Sequence, residues 1–486
     1  MSWDYETAVK YIYDIPKFTK KGGIEQTEKL MAMLGNPQND FKYIHIAGTN
    51  GKGSVSAFMA QALQMCGIKT GLFTSPHLVT INERLRIDGE VISNDDFVRL
   101  FEDIKQRVDA YVADGGVHPT FFEWMYMMAM CWFSRQKIQY AVVETGLGGR
   151  LDATNVIKYP ELTLITSIGL DHVQYLGSDI ASIAGEKAGI IKKDVSLVFD
   201  ASVPEACAVI CQRFGTVQGG ADWRSRLQNE DAQGDACTLN TARVMPVTAK
   251  MMSETAKKVS ETAKKVSETA KMVPVTAQMA EHVVFGDDRI DYDVVLDENP
   301  LHVVLTMNGT YQVDNSLIAL HGLSLLGQNN GYFNLAKNEF YKRIVQGLES
   351  TVWAGRMEKV RDGFYIDGAH NDAGIRALVK TLNVHFKNKN IYLLFAVAED
   401  KDYSHMIASL CALPNLQGVM VTAIDNVRRV DTKEVTALFE KNGHAPVKQS
   451  YNIKEALQTA MDWAGDNVLC CCGSLYLAGS VKEILA

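Results

Sequence analysis

Short apolar runs alternate with stretches of helical spacing along the first part of the chain. The run "FKYIHIAG" at 41–48 is rich in β-branched and aromatic residues, and "SVSAFMAQALQMCG" at 54–67 follows with helical periodicity and a glycine stop. Two later runs, "IQYAVVE" at 138–144 and "ELTLITSIG" at 161–169, have the same strand-like character. This order predicts an α/β fold with a mostly parallel sheet that helices cover on both faces.

A second block with the same alternation begins near Thr351. Its strand-like runs are "GFYIDGAHN" (363–371), "NIYLLFAVAEDKD" (390–402), "LQGVMVTAI" (416–424) and "NVLCCCGS" (467–474). Helical stretches separate these runs, which is typical of a smaller, Rossmann-like α/β domain. We therefore predict a phosphate-loop NTPase-like domain at residues 1–348 and a second domain at residues 349–486.

Residues 246–280 consist of five consecutive seven-residue units, from PVTAKMM through three SETAK units to PVTAQMA. An apolar stripe with alternating steps of three and four follows these units, formed by Ala256, Val259, Ala263, Val266, Ala270 and Val273. Such a stripe predicts a helix, which Pro274 is expected to end or kink. We expect the tract to belong to an insertion at about 220–285, on the surface of the first domain and away from the chemistry.

Composition and charge narrow the class of protein. The chain has 486 residues, of which 47% are hydrophobic and 22% charged, values that are ordinary for a globular protein of two or more domains. The net charge of −8 argues against a general nucleic-acid binder, and no apolar run reaches the roughly 18 residues of a membrane span. The nine cysteines form no regular framework, so we expect structural thiols in a cytoplasmic protein.

The segment "HIAGTNGKGS" at 45–54 is similar to a phosphate-binding loop with altered spacing. The standard loop has four residues between its glycines, whereas two residues separate Gly48 from Gly51, and Ser54 follows Lys52 by two positions. Backbone N–H groups of such a loop bind phosphate oxygens, and its lysine adds positive charge. The alternative is a tight strand-to-helix turn with a surface lysine. The position between a buried strand and a helix favours nucleotide binding.

Two more polar residues follow predicted strands. Glu144 ends an apolar strand before "TGLGGR" and is suited to hold magnesium, although a glutamate at a strand end can also face solvent. His172 lies in "GLDHVQYLG" and, taken alone, is better explained as a core histidine than as a metal ligand. Ligands of parallel sheets bind beyond the carboxyl ends of the strands, where the glycine loop, Glu144 and His172 are all expected to lie.

Several motifs together are more specific than these separate patterns. They are "AGTNGKGS", "TSPHL" with "NERLRIDG", "ETGLGGRLDATN", "GLDHVQYLG", "EKAGIIK", "WAGRME", "DGAHN", "EDKDY" and "GSLYLAG". In this order and spacing the chain resembles the folylpolyglutamate synthase and dihydrofolate synthase group of the Mur-ligase superfamily, except at about residues 215–300. The resemblance implies that ATP phosphorylates a carboxylate of a folate or dihydropteroate, and that the amine of L-glutamate then attacks the acyl phosphate.

The resemblance also implies roles for individual residues. The implied nucleotide contacts are Thr49, Asn50, Gly51, Lys52, Gly53, Ser54, Asn315, Arg356 and Asp367. The implied metal ligands are Ser75, Glu144 and His172, and Lys187 matches a lysine that carries a carbamate. The implied folate contacts are Thr19, Lys20, Lys21, Gly22, Thr120, Phe121, Phe122, Glu123, Leu151, Asp152 and Ala153. The implied glutamate contacts are His370 and Ser474, and the implied catalytic residues are Lys52, Lys187 and His370. ATP and two Mg²⁺ ions are the implied cofactors, with a monovalent cation left open.

Three positions depart from the family pattern: Ala354 and Asp372 stand where proline is common, and Tyr311 replaces the usual histidine before Gln312. The alternatives are a Mur-type ligase acting on a peptidoglycan precursor, a plain phosphate-loop kinase or NTPase, and an inactive binding protein. "TSPHL" followed by "NERLRIDG" favours the folate branch, and the second domain argues against a plain kinase. We expect a monomer that binds neither nucleic acid nor membrane. The sequence does not decide between dihydrofolate synthase and folylpolyglutamate synthase activity.

Overall fold

The computed structural model describes residues 3–16, 23–219, 270–286, 288–424, 429–443 and 445–486. Its helices are α1 Tyr5–Asp14, α2 Gly23–Met33, α3 Lys52–Met65, α4 Asn94–Ala113, α5 Phe121–Arg135, α6 Val173–Leu176, α7 Ile180–Lys187, α8 Pro204–Gly219, α9 Gln312–Asn329, α10 Lys337–Glu349, α11 Asp372–His385, α12 Tyr403–Cys411, α13 Thr432–Asn442, α14 Ile453–Ala464 and α15 Leu475–Leu485. Its strands are β1 Lys42–Ala47, β2 Thr70–Phe73, β3 Leu85–Ile87, β4 Glu90–Val91, β5 Tyr140–Glu144, β6 Leu162–Ile165, β7 Ser196–Asp200, β8 Met272–Val275, β9 Glu281–Phe285, β10 Ile290–Leu296, β11 Asn299–Leu305, β12 Glu358–Arg361, β13 Phe364–Ile366, β14 Ile391–Phe395, β15 Leu416–Thr422, β16 Val447–Ser450 and β17 Val468–Cys472.

The first part of the chain forms an eight-stranded sheet in the order β4-β3-β2-β5-β1-β6-β7-β8. Six of these strands run parallel, and β3 and β4 pair antiparallel at one edge. Every residue of β2, β5, β6 and β7 is buried, as expected for a parallel sheet with both faces covered. The predicted mostly parallel α/β sheet is therefore confirmed.

Helices and a small second sheet cover the two faces of this sheet. On one face α3, α9 and α10 share a core with the antiparallel sheet β9-β10-β11. On the other face α4 and α5 pack over one half, and α7 and α8 pack over the other half. Because α3 starts directly after β1, the loop between them is held at the carboxyl edge of the sheet.

The residues after α10 form a second sheet in the order β12-β13-β17-β14-β15-β16, parallel except for β12. Its central strand β17 carries Cys470, Cys471 and Cys472, which are all fully buried free thiols, as the sequence predicts. Cys207 and Cys211 lie on α8 and are also free. In the described part of the chain, no helix combines the length and apolarity needed to cross a membrane.

The predicted heptad helix is wrong at its C-terminal end. Met272–Val275 is a strand, β8, which pairs in parallel with β7, and Glu281–Phe285 forms β9. Burial of Met272 and Val275 against the sheet outweighs the weak helical preference of a thin Ala/Val stripe. Residues 246–269 of the repeat lie outside the described residues, and the extent of the insertion at about 220–285 stays a prediction.

Pro274 lies inside β8 rather than at the end of a helix. The amides of Leu197 and Ala201 donate to the carbonyl oxygens of Lys271 and Val275, at 2.8 Å in both cases. The odd-numbered residues of β8 therefore point their backbone groups toward β7. The ring nitrogen of Pro274 faces away from β7, so proline removes no hydrogen bond from this pairing.

Candidate active site

A cavity of about 730 Å³ opens at the carboxyl ends of β1 and β5 and is lined by residues of both α/β units. It collects most of the predicted site residues, namely Thr49, Asn50, Gly51, Lys52, Gly53, Ser54, Ser75, Thr120, Phe121, Phe122, Glu123, Glu144, Leu151, Asp152, Ala153, His172, Lys187, Asn315, Arg356, Asp367 and His370. Thr19, Lys20, Lys21 and Gly22 lie outside the described residues. Ser474 caps α15 by accepting a hydrogen bond from the Tyr476 amide at 3.2 Å, and only its neighbours line the cavity.

The phosphate loop is folded tightly between β1 and α3. Gly51 has φ +86°, and a Cβ at this position would lie 2.2 Å from Oδ1 of Asn315. Only glycine combines this backbone conformation with so close an approach. The Lys52 ammonium lies 3.3 Å from the Thr49 carbonyl oxygen and 3.7 Å from the Glu144 carboxylate. The loop thus directs a lysine and a buried helix N-terminus into the cavity.

Glu144 is a buried carboxylate with few partners. It ends β5, is 3% exposed, and accepts a hydrogen bond from the Ser75 amide at 3.3 Å. Burial raises the pKa of Glu144, and the Lys52 ammonium opposes this shift. A cation beside Glu144 would therefore stabilise its charged form.

His172 stands at the start of α6 with φ +50°. Burial lowers the pKa of His172 to about 4, so its imidazole is neutral and able to act as a metal ligand at pH 7. Within the described ranges no cluster of three or more His, Cys, Asp or Glu side chains is arranged to hold a metal. Ser75 and Glu144 supply oxygen donors of the kind that Mg²⁺ prefers, usually together with phosphate oxygens and water, and His172 lines the same cavity.

Lys187 ends α7 and points under the phosphate loop. Its ammonium donates to the Gly48 carbonyl oxygen at 2.6 Å, and the residue is 4% exposed. Burial, followed by the nearby charge of Lys52, lowers the pKa of Lys187 to about 7. The lowered pKa favours the neutral, nucleophilic form of this amine.

Sequence reasoning missed a cluster that joins the two α/β units around Asp171. The Asp171 carboxylate accepts from Lys401 at 2.6 Å and from the Asn371 amide at 3.0 Å, and it lies 3.8 Å from Nε2 of His370. Burial acts to raise the pKa of Asp171, but the nearby positive charges, with Lys401 the largest, and the Lys401 hydrogen bond together outweigh burial and hold this pKa below its usual range. The motif "EDKDY" contained Lys401 but gave no indication of its partner.

Asn50 of the phosphate loop also contacts the second unit. Its side-chain amide and that of Asn371 bond to each other reciprocally, at 3.1 and 3.0 Å. Asn371 in turn caps α11 by accepting from the Gly374 amide. Burial lowers the pKa of His370 to about 4, and its Nδ1 contacts the Gly368 carbonyl oxygen at 2.8 Å. The neutral tautomer with the proton on Nδ1 leaves Nε2 as an acceptor beside Asp171.

Tyr311, one of the departures from the family pattern, contacts a predicted nucleotide ligand. Its hydroxyl donates to the Asp367 carboxylate at 2.5 Å, across the two α/β units. The amides of Met357 and Ala369 also donate to Asp367, and burial raises the pKa of this carboxyl. Tyr311 therefore supplies a hydrogen bond that joins the two units at this position.

Comparisons with known proteins identify the family of this chain. Residues 355–475 match the family model described as Mur ligase, glutamate ligase domain. Over 485 residues the chain is 32% identical to a dihydrofolate synthase/folylpolyglutamate synthase of Bacillus subtilis, and the match covers 99% of both chains. The fold matches a Mycobacterium tuberculosis folylpolyglutamate synthase complexed with ADP with a TM-score of 0.79 and 26% identity, over 99% of this chain and 98% of that chain. A folylpolyglutamate synthase complex with AMPPCP and folate matches with a TM-score of 0.77 and 26% identity, over 99% and 100% of the two chains. This chain belongs to the folylpolyglutamate synthase and dihydrofolate synthase family.

Proposed function

We propose that this protein is an ATP-dependent ligase that adds L-glutamate to a folate, with a tetrahydrofolate polyglutamate or dihydropteroate as the acceptor. The observation that carries the proposal is the cavity in which a phosphate loop, a buried carboxylate and a buried lysine face the glutamate ligase domain. Relatives are named dihydrofolate synthase/folylpolyglutamate synthase, and a solved relative binds AMPPCP and folate. These names speak for the folate branch and against a ligase of peptidoglycan precursors.

The reaction requires that the acceptor carboxylate be activated before the glutamate amine attacks it. A carboxylate is a poor acyl donor because its leaving group is an oxide, and transfer of the ATP γ-phosphoryl group supplies a better one. The glutamate amine then attacks the acyl carbon, the C–N bond forms, and phosphate leaves with the C–O electron pair. Lys52 and the amides of Thr49–Ser54 bind the phosphates, while Asn315, Arg356 and Asp367 contact the nucleotide from the hinge and the second domain.

Ser75, Glu144 and His172 are the proposed ligands of two Mg²⁺ ions. Magnesium, when bound, neutralises charge on the ATP phosphates and on the transferred phosphoryl group. Glu144 suits this role because it is buried with one amide donor and a lysine at 3.7 Å. His172 suits it because its imidazole stays neutral.

Lys187 is the proposed carbamate. Its neutral amine adds to CO₂ by forming an N–C bond and releasing one proton, and the cation becomes an anion close to the metal ligands. The support is its burial, its contact with Gly48 and its pKa of about 7. The carbamate would offset the positive charge of Lys52 and the metals, next to the phosphate loop that Lys187 contacts at Gly48.

The remaining proposed contacts divide the cavity into a folate side and a glutamate side. Thr120 and Glu123 form a capping box at the start of α5, and they line the cavity together with Leu151, Asp152 and Ala153, which are further proposed folate contacts. His370 and Ser474 belong to the second unit and are the proposed glutamate contacts. Domain limits at 1–348 and 349–486, a monomeric state and a cytoplasmic location complete the proposal.

The test is a direct assay of ligation. The protein is incubated with ATP, Mg²⁺ and L-glutamate, with dihydropteroate or a reduced folate monoglutamate as acceptor. The products are separated and identified by their masses. We expect one added glutamyl residue for each ATP converted to ADP and phosphate, and activity with both acceptors indicates a bifunctional enzyme. ATP consumption without a glutamylated product contradicts the proposal. Ligation to a peptidoglycan precursor instead supports the alternative ligase.

A further inference from the structure

Arg84 is a buried cation that forms no ion pair with a carboxylate of the described residues. It ends the short helical turn Ile81–Arg84 and is 6% exposed, and its remaining exposed surface opens into the cavity. No Asp or Glu oxygen of the described residues lies within ion-pair distance of its guanidinium. Burial lowers the pKa of Arg84 to about 10, so the side chain remains charged at neutral pH. A buried charge without a counter-ion reduces stability, which is understandable where a ligand supplies the opposite charge.

Neighbouring side chains fix the orientation of this guanidinium. Its Nε donates to Nδ1 of His77 at 2.8 Å, and Nε2 of His77 contacts the Tyr13 hydroxyl at 3.0 Å. The guanidinium carbon lies 5.1 Å from the centre of the Phe121 ring. Because Nε is already used, the two terminal amino groups remain as a pair of parallel donors. Such a pair matches a carboxylate bidentately.

The position of Arg84 indicates which carboxylate this is. Phe121 belongs to the proposed folate side, and Glu144 belongs to the phosphate side of the same cavity. Arg84 and Glu144 each shift the pKa of the other, so the guanidinium lies within electrostatic reach of the reacting end. Arg84 lines the same cavity as Phe121 and Glu144 and contacts the Phe121 ring, so a folate that extends from Phe121 toward Glu144 is expected to run beside its guanidinium.

The two acceptors differ at this point. A folate ending in glutamate carries a reacting γ-carboxylate and a non-reacting α-carboxylate, with three carbon atoms between them. Dihydropteroate carries a single carboxylate, which must react. We propose that Arg84 binds the non-reacting α-carboxylate of the terminal glutamate of a folate acceptor, and thereby favours glutamylated folates over dihydropteroate. This inference rests on the proposed function.

A chemical double-mutant cycle tests the contact. One change is Arg84→Met. The other is a folate in which 4-aminobutyrate replaces the terminal glutamate, which deletes the α-carboxylate and keeps the reacting carboxyl group. We expect Arg84→Met to lower kcat/KM for the normal folate by about ten- to a hundredfold, the range for a hydrogen bond to a charged group. The wild type should lose a similar factor on the analogue, and the variant should no longer distinguish the two folates.

Dihydropteroate and a second arginine provide the controls. Turnover of dihydropteroate by Arg84→Met should stay within about threefold of wild type, because this acceptor lacks the group that Arg84 binds. Arg86→Met is the matched control, since Arg86 already contacts the Trp353 ring at 5.3 Å and the Glu83 carbonyl oxygen at 3.3 Å. It should leave the ratio of the two activities unchanged. Arg84→Lys keeps the charge without the paired donors and serves if the methionine variant does not fold.

Equal losses on folate, analogue and dihydropteroate would show that Arg84 serves the reacting carboxylate or the fold, and would overturn the inference. Dissociation constants of folate and analogue, measured by fluorescence without ATP, test the same coupling independently of turnover. A wild type that binds folate more tightly than the analogue, with Arg84→Met unable to discriminate, supports the role of Arg84. A wild type that ligates glutamate to no folate contradicts the proposed function, and the binding cycle still decides the role of Arg84.

Discussion

Two lysines lie at the phosphate loop, Lys52 within it and Lys187 in contact with the Gly48 carbonyl oxygen, and each gives a prediction at the scale of the residue. Lys52 lies 3.7 Å from Glu144 within the cavity. Lys52→Ala should lower kcat/KM on the order of a hundredfold or more, because it removes a cation from the phosphates. Steady-state assays with saturating glutamate measure this effect, and the exposed Lys193→Ala is the control. Near-normal turnover of Lys52→Ala would show that the loop binds no reacting phosphate.

If Lys187 carries a carbamate, the activity of the unmodified sequence should depend on CO₂. In buffer depleted of CO₂ the wild type should lose activity and recover it on addition of bicarbonate, since only the neutral amine forms a carbamate. Lys187→Ala should be nearly inactive and insensitive to bicarbonate, and formate or acetate should restore part of its activity by supplying the missing anion. Full activity of Lys187→Ala without these additives would contradict the carbamate assignment.

The sequence predicts individual site residues where the chemistry is local. The phosphate loop and Glu144 follow strands that the hydrophobic pattern already locates, and their spacing is visible in a few residues. Partners from distant segments are not visible in this way. Asp171 meets Lys401 across 230 positions of the chain, and only the fold brings them to 2.6 Å. Arg84 lies in the motif "NERLRIDG", but only the folded structure shows that it is buried without an ion-pair partner among the described residues.

At the scale of the element, β1 contains a histidine that the fold keeps neutral. His45 is fully buried, contacts the Thr154 hydroxyl at 2.8 Å, and burial lowers its pKa to about 3. Between pH 6.5 and about 3 the unfolded chain binds a proton at this position and the folded protein does not. Stability should therefore fall as the pH falls through this window, by about 1.4 kcal/mol per pH unit from His45 alone.

His45→Gln isolates this contribution. Urea denaturation of wild type and variant at pH 7, 6 and 5 gives the free energy of unfolding of each protein. The difference between them should shift in favour of the variant as the pH falls below 6.5, because glutamine does not titrate. A difference that stays constant with pH would mean that His45 is protonated in the folded state as well.

The strands and helices of the parallel sheets follow from their apolar periodicity, whereas β8 does not. Met272–Val275 belongs to a repeat whose local pattern favours a helix, and its strand conformation depends on pairing with β7. The hydrogen bonds to β7 and the burial of Val275 are tertiary interactions, and the sequence pattern of the repeat gives no sign of them. A repeat unit can therefore end in a different conformation when its last residues complete a sheet.

At the scale of the whole molecule, the buried pair of Asp171 and Lys401 joins the two α/β units. Lys401→Ala should destabilise the protein by about 3 kcal/mol, because Asp171 is left as a buried charge without its main partner. We also expect a larger radius of gyration without ligands, measured by small-angle scattering, since one contact between the units is lost. Saturating ATP and folate should reduce it again.

Arg99→Ala removes an exposed ion pair within α4 and is the control for this experiment, because exposed pairs contribute little. A Lys401→Ala variant with unchanged stability and scattering would show that other contacts alone determine how the units are arranged. The sequence predicts two α/β units and a cleft at their strand ends. It does not predict which side chains hold the units together, since these come from segments that no local pattern relates.

The place of Pro274 in β8 has a consequence for the behaviour of the protein in concentrated solution. β8 is the last strand of its sheet, and in the described part of the chain no strand pairs with its outer side. An outer strand with a full row of amide donors is a template for edge-to-edge addition of a second molecule, which leads to aggregation. Proline removes one donor from this row at no cost to the pairing with β7. A chain with Pro274→Val should therefore keep its fold but form oligomeric aggregates more readily during refolding, as light scattering would detect.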